Sequence, residues 1–300
     1  MRRPERPGGS RLKPTPFDYS APGSVAEVLA LLADEEREAK VLAGGQSLIP
    51  MLSMRLARPG LLVDITRVPG LDRLYVDASG ALHIGAAVRQ TRAADDPAVH
   101  DGWPLLAAAI RRIGHPQIRH RGTVCGSLAH HDPAAELPTA ALALDARFVI
   151  AGPGGTRTVG AADFFVATFQ TAVAPDELLT EVVLPPRAGD GWAFEELARR
   201  HGDFATVGVA VTLRRAPDRR TVAAARAVFC GAGPVPVRLP AVEEALTGTD
   251  AGAAALDAAA SAALAGLTPA DDVHATAAYR REAAAHLLVR ACTLAWERCS

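Results

Sequence analysis

Cysteine is scarce in this chain, with four residues in 300: Cys125, Cys230, Cys292 and Cys299. They stand far apart or, for Cys292 and Cys299, seven residues apart, a pattern that suits neither a disulfide framework nor the closely spaced ligands of an iron–sulfur cluster or a structural zinc. A surplus of charge of one sign is missing too. Lys and Arg number 32 against 33 Asp and Glu, for a formal charge of −1, so nothing draws the protein to nucleic acid or acidic lipid. No stretch reaches the roughly 18 apolar residues of a membrane span, because even the Ala-rich C-terminal part is interrupted by Asp, Arg, Glu and His. The opening MRRPERPGGSRLKPTP lacks the apolar region of an export signal. Residues 1–11 read as a flexible tail, and the expected location is cytoplasmic. With 49% hydrophobic and 22% charged residues over this length, one large or two ordinary globular domains are expected.

Against that background two glycine-centred segments stand out. They are Val41-Leu42-Ala43-Gly44-Gly45-Gln46-Ser47-Leu48 and Arg121-Gly122-Thr123-Val124-Cys125-Gly126-Ser127-Leu128. A residue without Cβ lets backbone amides reach phosphate oxygens that a side chain would block, so the pair reads as a clamp for the diphosphate of a dinucleotide. The glycine pair at 44–45 fits neither GxGxxG nor GxxxxGK[ST], which removes support for a nicotinamide cofactor or a nucleoside triphosphate. Locally, the first segment reads equally as an ordinary strand-to-helix turn and the second as a tight core loop.

The surrounding pattern predicts a βαβα start. Ser24 to Glu27 matches a capping box ahead of a helix, Ala39–Ala43 reads as a buried strand, and Ser47–Leu56 takes helical spacing. Residues 61–65 and 81–86 read as strands and 103–110 as a helix. Asp132-Pro133 has the order of an N-cap and a first helical Pro, which opens a helix to about Leu144, and Arg147–Ala151 follows as a strand. The composition changes near 187–191. Strands around 192–200, 205–215 and 222–231 then precede helical stretches at 240–266 and 275–298, and strand runs followed by helix runs argue for an α+β architecture.

Three further features carry chemistry in principle. His130-His131-Asp132 with Glu136 invites a metal, but adjacent histidines on a strand or loop point to opposite sides and no third ligand has suitable spacing, so no metal is expected. Cys125 reads as a small apolar filler rather than a reactive thiol, and the other cysteines read the same way. Arg199-Arg200-His201-Gly202-Asp203-Phe204-Ala205 is either a solvated hairpin tip or a ring-bearing loop that covers a planar ligand.

Taken in order, Ala43–Pro50, Ile113-Gly114-His115-Pro116-Gln117-Ile118-Arg119, the run from Arg121 through Asp132-Pro133-Ala134-Ala135-Glu136-Leu137-Pro138, and Arg199–Ala205 resemble the FAD-binding medium subunit of molybdenum hydroxylases, of the carbon monoxide dehydrogenase type. The resemblance runs from about Pro14 to Trp296. It implies an α+β fold, with a PCMH/VAO-type FAD-binding domain at 12–188 made of two subdomains (about 12–66 and 67–188). A smaller α+β domain of the CO dehydrogenase flavoprotein type, with a three-stranded sheet and helices, follows at 191–299.

By the same resemblance the cofactor is FAD. Val41, Leu42, Ala43, Gly44, Gly45, Gln46, Ser47 and Leu48 would hold its pyrophosphate and adenosine side. Thr123, Val124, Cys125, Gly126 and Ser127 would hold the diphosphate and ribityl region. Glu136 falls where a carboxylate accepts from the cofactor's sugar, Leu179 beside the adenine, Phe204 at the flavin face and Ile113 as a further wall. Arg199 or Arg200 stands in sequence where a cation could approach flavin N1. The family has two glycines where this chain has Cys125-Gly126, which sets a Cβ and a sulfur near the expected cofactor path. The implied partners are a molybdopterin-binding large subunit and a small subunit with two [2Fe–2S] clusters, in a heterotrimer, dimerised or not. Electrons would pass from the clusters to FAD and on to an external acceptor, with no side chain of this chain acting as acid, base or nucleophile. Two rivals remain at this point: a free-standing FAD-dependent oxidoreductase or oxidase, and a colourless scaffold that has lost its flavin.

Overall fold

The computed structural model describes residues 13–186 and 190–299. The expected tail at 1–11 lies outside the described residues, as do residues 187–189 of the expected boundary. The chain begins with β1 (Asp18–Ser20), α1 (Val25–Leu32), β2 (Ala39–Leu42), α2 (Leu48–Ser53) and β3 (Leu61–Asp64). The three strands form a parallel sheet in the order β1-β3-β2. The central strand is the most apolar, and Leu61, Leu62 and Val63 are buried, as a parallel strand covered on both faces requires. The helix cap is formed with its reciprocal bond displaced by one residue: Ser24 Oγ accepts from the Glu27 amide at 3.2 Å, and Glu27 reaches past the cap to accept from the Gly23 amide at 2.9 Å.

A second sheet contains β4 (Leu74–Val76), β5 (Leu82–Gly85), β6 (Arg147–Gly152), β7 (Gly155–Gly160) and, further on, β10 (Leu178–Leu184). Its order is β4-β5-β10-β6-β7, with every neighbouring pair antiparallel. Between β5 and β6 lie α3 (Gln90–Asp95), α4 (Pro97–Gly102), α5 (Pro104–Arg112), α6 (Pro116–Arg121), α7 (Val124–His130) and α8 (Glu136–Ala143). Pro stands in the first turn of α4, α5 and α6, where its missing N–H costs nothing. After β7 come α9 (Ala161–Phe164) and the short hairpin β8 (Phe165–Ala167) and β9 (Gln170–Thr171). Phe148, Phe164 and Phe165 pack together beneath it, with the first two rings stacked at 3.7 Å.

The last part is a four-stranded antiparallel sheet, β11 (Gly191–Leu197), β12 (Val207–Arg215), β13 (Val222–Cys230) and the two-residue β14 (Val237–Arg238), with α10 (Pro240–Leu246), α11 (Ala253–Gly266) and α12 (Ala277–Arg298). It has its own core, in which small residues of α12 (Ala284, Ala291, Ala295) meet Val207, Val209 and Val211. The fold is α+β.

Two local expectations change. Asp132-Pro133 does not open a helix: Asp132 accepts from the Ala134 amide at 2.8 Å in a turn, and α8 starts at Glu136. An Asx-turn competes with helix capping for the same side chain. The second glycine segment is not a loop that precedes a helix; it is the helix α7 itself, with Thr123 as its N-cap.

Candidate functional site

The first wall of the site is the turn that leaves β2. Ala43 continues from the strand, Gly44-Gly45 reverses the chain, and α2 begins at Leu48. The amides of Gly44, Gly45, Gln46, Ser47 and Leu48 have no backbone or side-chain acceptor among the described residues. Five adjacent donors left open at a cavity wall are costly unless something anionic or water satisfies them. Gln46 Nε2 donates back to the Gly44 carbonyl at 3.1 Å and holds the turn.

The second wall is the start of α7. Thr123 Oγ1 accepts from the Gly126 amide at 3.0 Å, and the Val124 amide donates to the Val88 carbonyl at 3.1 Å. Winding the segment into a helix packs the Cys125 side chain into the core, while the residue still forms part of the cavity wall. The residue is 2% exposed, its Sγ lies 3.4 Å from the Ile84 carbonyl, and burial pushes the thiol pKa up. The Cβ and sulfur that the sequence sets near the expected cofactor path are packed among core residues. The two walls touch through backbone. A Cβ on Gly44 would lie 2.5 Å from the Arg121 carbonyl oxygen and 2.7 Å from Gly122 Cα, so only glycine permits that approach.

Between the walls runs a cleft of about 910 Å³. Of the residues singled out in sequence, Val41, Ala43–Leu48, Ile113, Thr123, Cys125, Gly126, Ser127, Glu136, Leu179 and Phe204 line it. Leu42, Val124 and Arg200 do not: Val124 is 1% exposed in the core, and Arg200 pairs with Asp203 at 3.3 Å. Arg199 shares that carboxylate at 3.5 Å. Glu136 is 4% exposed, and desolvation raises its pKa to about 8, with the Glu196 and Asp132 charges adding to the rise while its own amide and Arg112 oppose it. The segment 199–205 is the tip between β11 and β12, and it sets Phe204 at the cleft mouth with 61% of its surface exposed.

Sequence reasoning missed one wall. The tip of the β8–β9 hairpin, β9 and the chain that follows it to Leu178 also line the cleft. Phe169 at its tip has φ of 58° and its ring lies 5.0 Å from that of His130. Strands of three and two residues carry no readable periodicity, so only the two aromatic residues hinted at it. His131 is fully buried, with Nδ1 3.2 Å from the Gln170 carbonyl and its ring on Phe165 at 4.8 Å. Among the described residues no group of three His, Cys, Asp or Glu could hold a metal ion, and no helix is long and apolar enough to cross a membrane.

A cleft between a layer on a parallel three-stranded sheet and a layer on an antiparallel five-stranded sheet, with open amides on one wall and a ring at its mouth, defines a dinucleotide-binding flavoprotein. Residues 15–187 match the family described as FAD binding domain in molybdopterin dehydrogenase, and residues 192–295 match the CO dehydrogenase flavoprotein C-terminal domain. The chain belongs to the FAD-binding medium subunits of the molybdenum hydroxylase family, and it is an oxidoreductase subunit with FAD as its cofactor.

It is 39% identical to the carbon monoxide dehydrogenase medium chain of Hydrogenophaga pseudoflava, over 96% of this chain and 99% of the relative. It is likewise 39% identical to the nicotine 6-hydroxylase medium subunit of Paenarthrobacter nicotinovorans, over 91% and 94%. Among solved structures, carbon monoxide dehydrogenase from H. pseudoflava superposes with a TM-score of 0.92 at 41% identity, covering 96% of this chain and 99% of that one. Quinoline 2-oxidoreductase from Pseudomonas putida 86 gives 0.90 at 34%, covering 95% and 98%.

Proposed function

We propose that this chain is the electron exit of a three-subunit molybdenum hydroxylase. FAD bound in the cleft would take electrons from the [2Fe–2S] clusters of a small subunit and pass them to an external acceptor, while a large molybdopterin subunit oxidises the substrate. The open amides of Gly44 to Leu48, set against the backbone of Gly122 and Thr123, carry this reading. They are the donor set a diphosphate needs.

The chain's own residues bind and orient. The amides of the first wall hold the diphosphate, and Thr123, Gly126 and Ser127 close on it from the second. Glu136 takes a hydroxyl of the sugar, a role open to a buried carboxyl that lines the cleft. Leu179 lies against the adenine. Ile113 and Phe204 face the isoalloxazine and exclude water from one side of it. Arg199 and Arg200 share Asp203 at the same tip as Phe204 and stay exposed, and one of them would supply the cation near flavin N1.

The visible absorption spectrum of the purified chain, taken after FAD is added and the excess removed by gel filtration, tests the binding step. Retained oxidised-flavin bands in a one-to-one ratio are the expected result; a colourless chain that stays colourless after mixing with its co-expressed subunits would overturn the reading. Reduction of the bound flavin by the complex plus its substrate, lost when the small subunit is withheld, tests the relay.

A further inference from the structure

We propose that Arg119 and His115 are positioning residues for Phe204, an inference that rests on the ring end of the cofactor lying beside Phe204. Phe204 belongs to the C-terminal domain, yet it stands 61% exposed at the mouth of a cleft built by the other domain. Something outside its own sheet has to fix its place. The tip that carries it is internally tied: the Asp203 amide donates to the Arg200 carbonyl at 3.1 Å, and the Asp203 carboxylate takes both arginines. Gly202 has φ of +88°, and a Cβ on it would lie 2.7 Å from His115 Cε1, 2.9 Å from His115 Nδ1 and 3.2 Å from the Gly114 carbonyl carbon. The tip therefore rests directly on the Gly114-His115 step of the FAD-binding domain.

That step is itself held. Arg119 Nη1 donates to the Ile113 carbonyl at 2.7 Å and the Gly114 carbonyl at 3.0 Å, both charge-assisted bonds of the stronger kind. The Ile118 amide donates to the His115 carbonyl at 2.9 Å and starts α6 from the same point. Ile113 lines the cleft directly. One guanidinium thus fixes both a wall residue and the seat on which the other domain's ring-bearing tip lies. His115 makes no side-chain capping bond to α6, so its ring is available for the contact with Gly202, and removing it leaves the helix start intact. Neither Arg119 nor His115 needs to touch the cofactor; each acts through Phe204.

The test uses the full chain loaded with FAD and reads iodide quenching of the bound flavin's fluorescence, a measure of how well the ring is covered. Phe204→Ala is the reference for an uncovered ring. His115→Ala and Arg119→Gln are expected to raise the quenching constant about fivefold, the population shift that losing one modest contact produces, with FAD still bound one to one. Combined with Phe204→Ala, each is expected to add nothing further. If Phe204→Ala raises quenching while His115→Ala and Arg119→Gln stay at the parent value, the positioning role is overturned and the placement of the ring stands. If Phe204→Ala itself leaves quenching unchanged, the ring does not lie there, and the proposal falls with that placement. Thermal unfolding of each variant separates loss of the seat from loss of the fold, because an effect of position appears with an unchanged midpoint in His115→Ala.

Discussion

The two glycine segments look alike in sequence and do different work in the fold. The first is an open turn whose amides from Gly44 to Leu48 have no acceptor among the described residues, whereas the second is wound into α7, with the amides of Val124 and Gly126 already taken. The first supplies donors; the second supplies a backbone surface close enough to face them. Glycine therefore serves two separate purposes in the first wall: leaving the turn's amides open and, at Gly44, permitting contact with the backbone of the second. A motif match alone does not distinguish these purposes, because the local conformation decides where each Cβ points.

The hardest blow to this arrangement is a Cβ at the junction. Gly44→Ala sets a methyl 2.5 Å from the Arg121 carbonyl oxygen and 2.7 Å from Gly122 Cα, both backbone atoms that cannot swing aside. We expect the walls to be forced apart, with loss of FAD retention on gel filtration and a stability cost of about 3 kcal/mol from overpacking. A variant that keeps FAD and its unfolding midpoint would show that the walls are free to separate without penalty.

The next effect lies just past the second wall, at Glu136. Its pKa in the fold is about 8 against an ordinary value of 4.5, so the folded chain prefers the neutral form. Between those values the native state holds a proton that the unfolded chain has released, and stability falls as pH rises through that window, then levels above it. The swing is on the order of a few kcal/mol. Denaturant titrations of the cofactor-free chain from pH 5 to pH 9 are expected to show this decline, and Glu136→Gln to flatten it. Equal slopes in parent and variant would place the titration elsewhere.

Cys125 offers a sharper contrast with Gly44. Restoring glycine there removes a buried side chain that packs under Ile84 and puts a flexible residue in a helix. We expect Cys125→Gly to cost about 2 kcal/mol in stability while FAD affinity stays within a factor of two or so of the parent. A large gain in affinity would mean that the thiol does crowd the cofactor, and the two walls would then be alike in what they demand.

Much of this was legible in the residues, and the failures have physical causes. The capping box at Ser24, the strand–turn–helix through Gly44-Gly45, and the long strands at 207–215 and 222–230 carry periodic or capping signals that local interactions enforce. The turn at Asp132 departs from the expected helix start because an Asp before Pro serves an Asx-turn as well as an N-cap. The helical state of Thr123–Ser127 was hidden by Gly126, which lowers helix propensity, while the Thr123 cap that stabilises it is weighted by tertiary contacts to Val88 and Ile84. The β8–β9 wall and the seat of Gly202 on His115 depend on contacts between segments tens of residues apart, which no local pattern encodes.

The smallest expected effects distinguish the walls most finely, because each wall has one side-chain staple. Thr123 Oγ1 closes the second wall onto the Gly126 amide, and Gln46 Nε2 closes the first onto the Gly44 carbonyl. Thr123→Ala removes a helix cap and is expected to lower stability by about 1 kcal/mol, visible in the unfolding midpoint with or without FAD. Gln46→Ala removes a part-buried bond in a turn whose amides stay exposed either way, at about 0.5 kcal/mol. Its stability change is expected to be near the limit of detection in the cofactor-free chain, while FAD affinity drops about threefold because the donors are no longer held in register. The same readouts in reverse, a stability loss for Gln46→Ala and an affinity loss alone for Thr123→Ala, would assign the donor role to the second wall instead of the first.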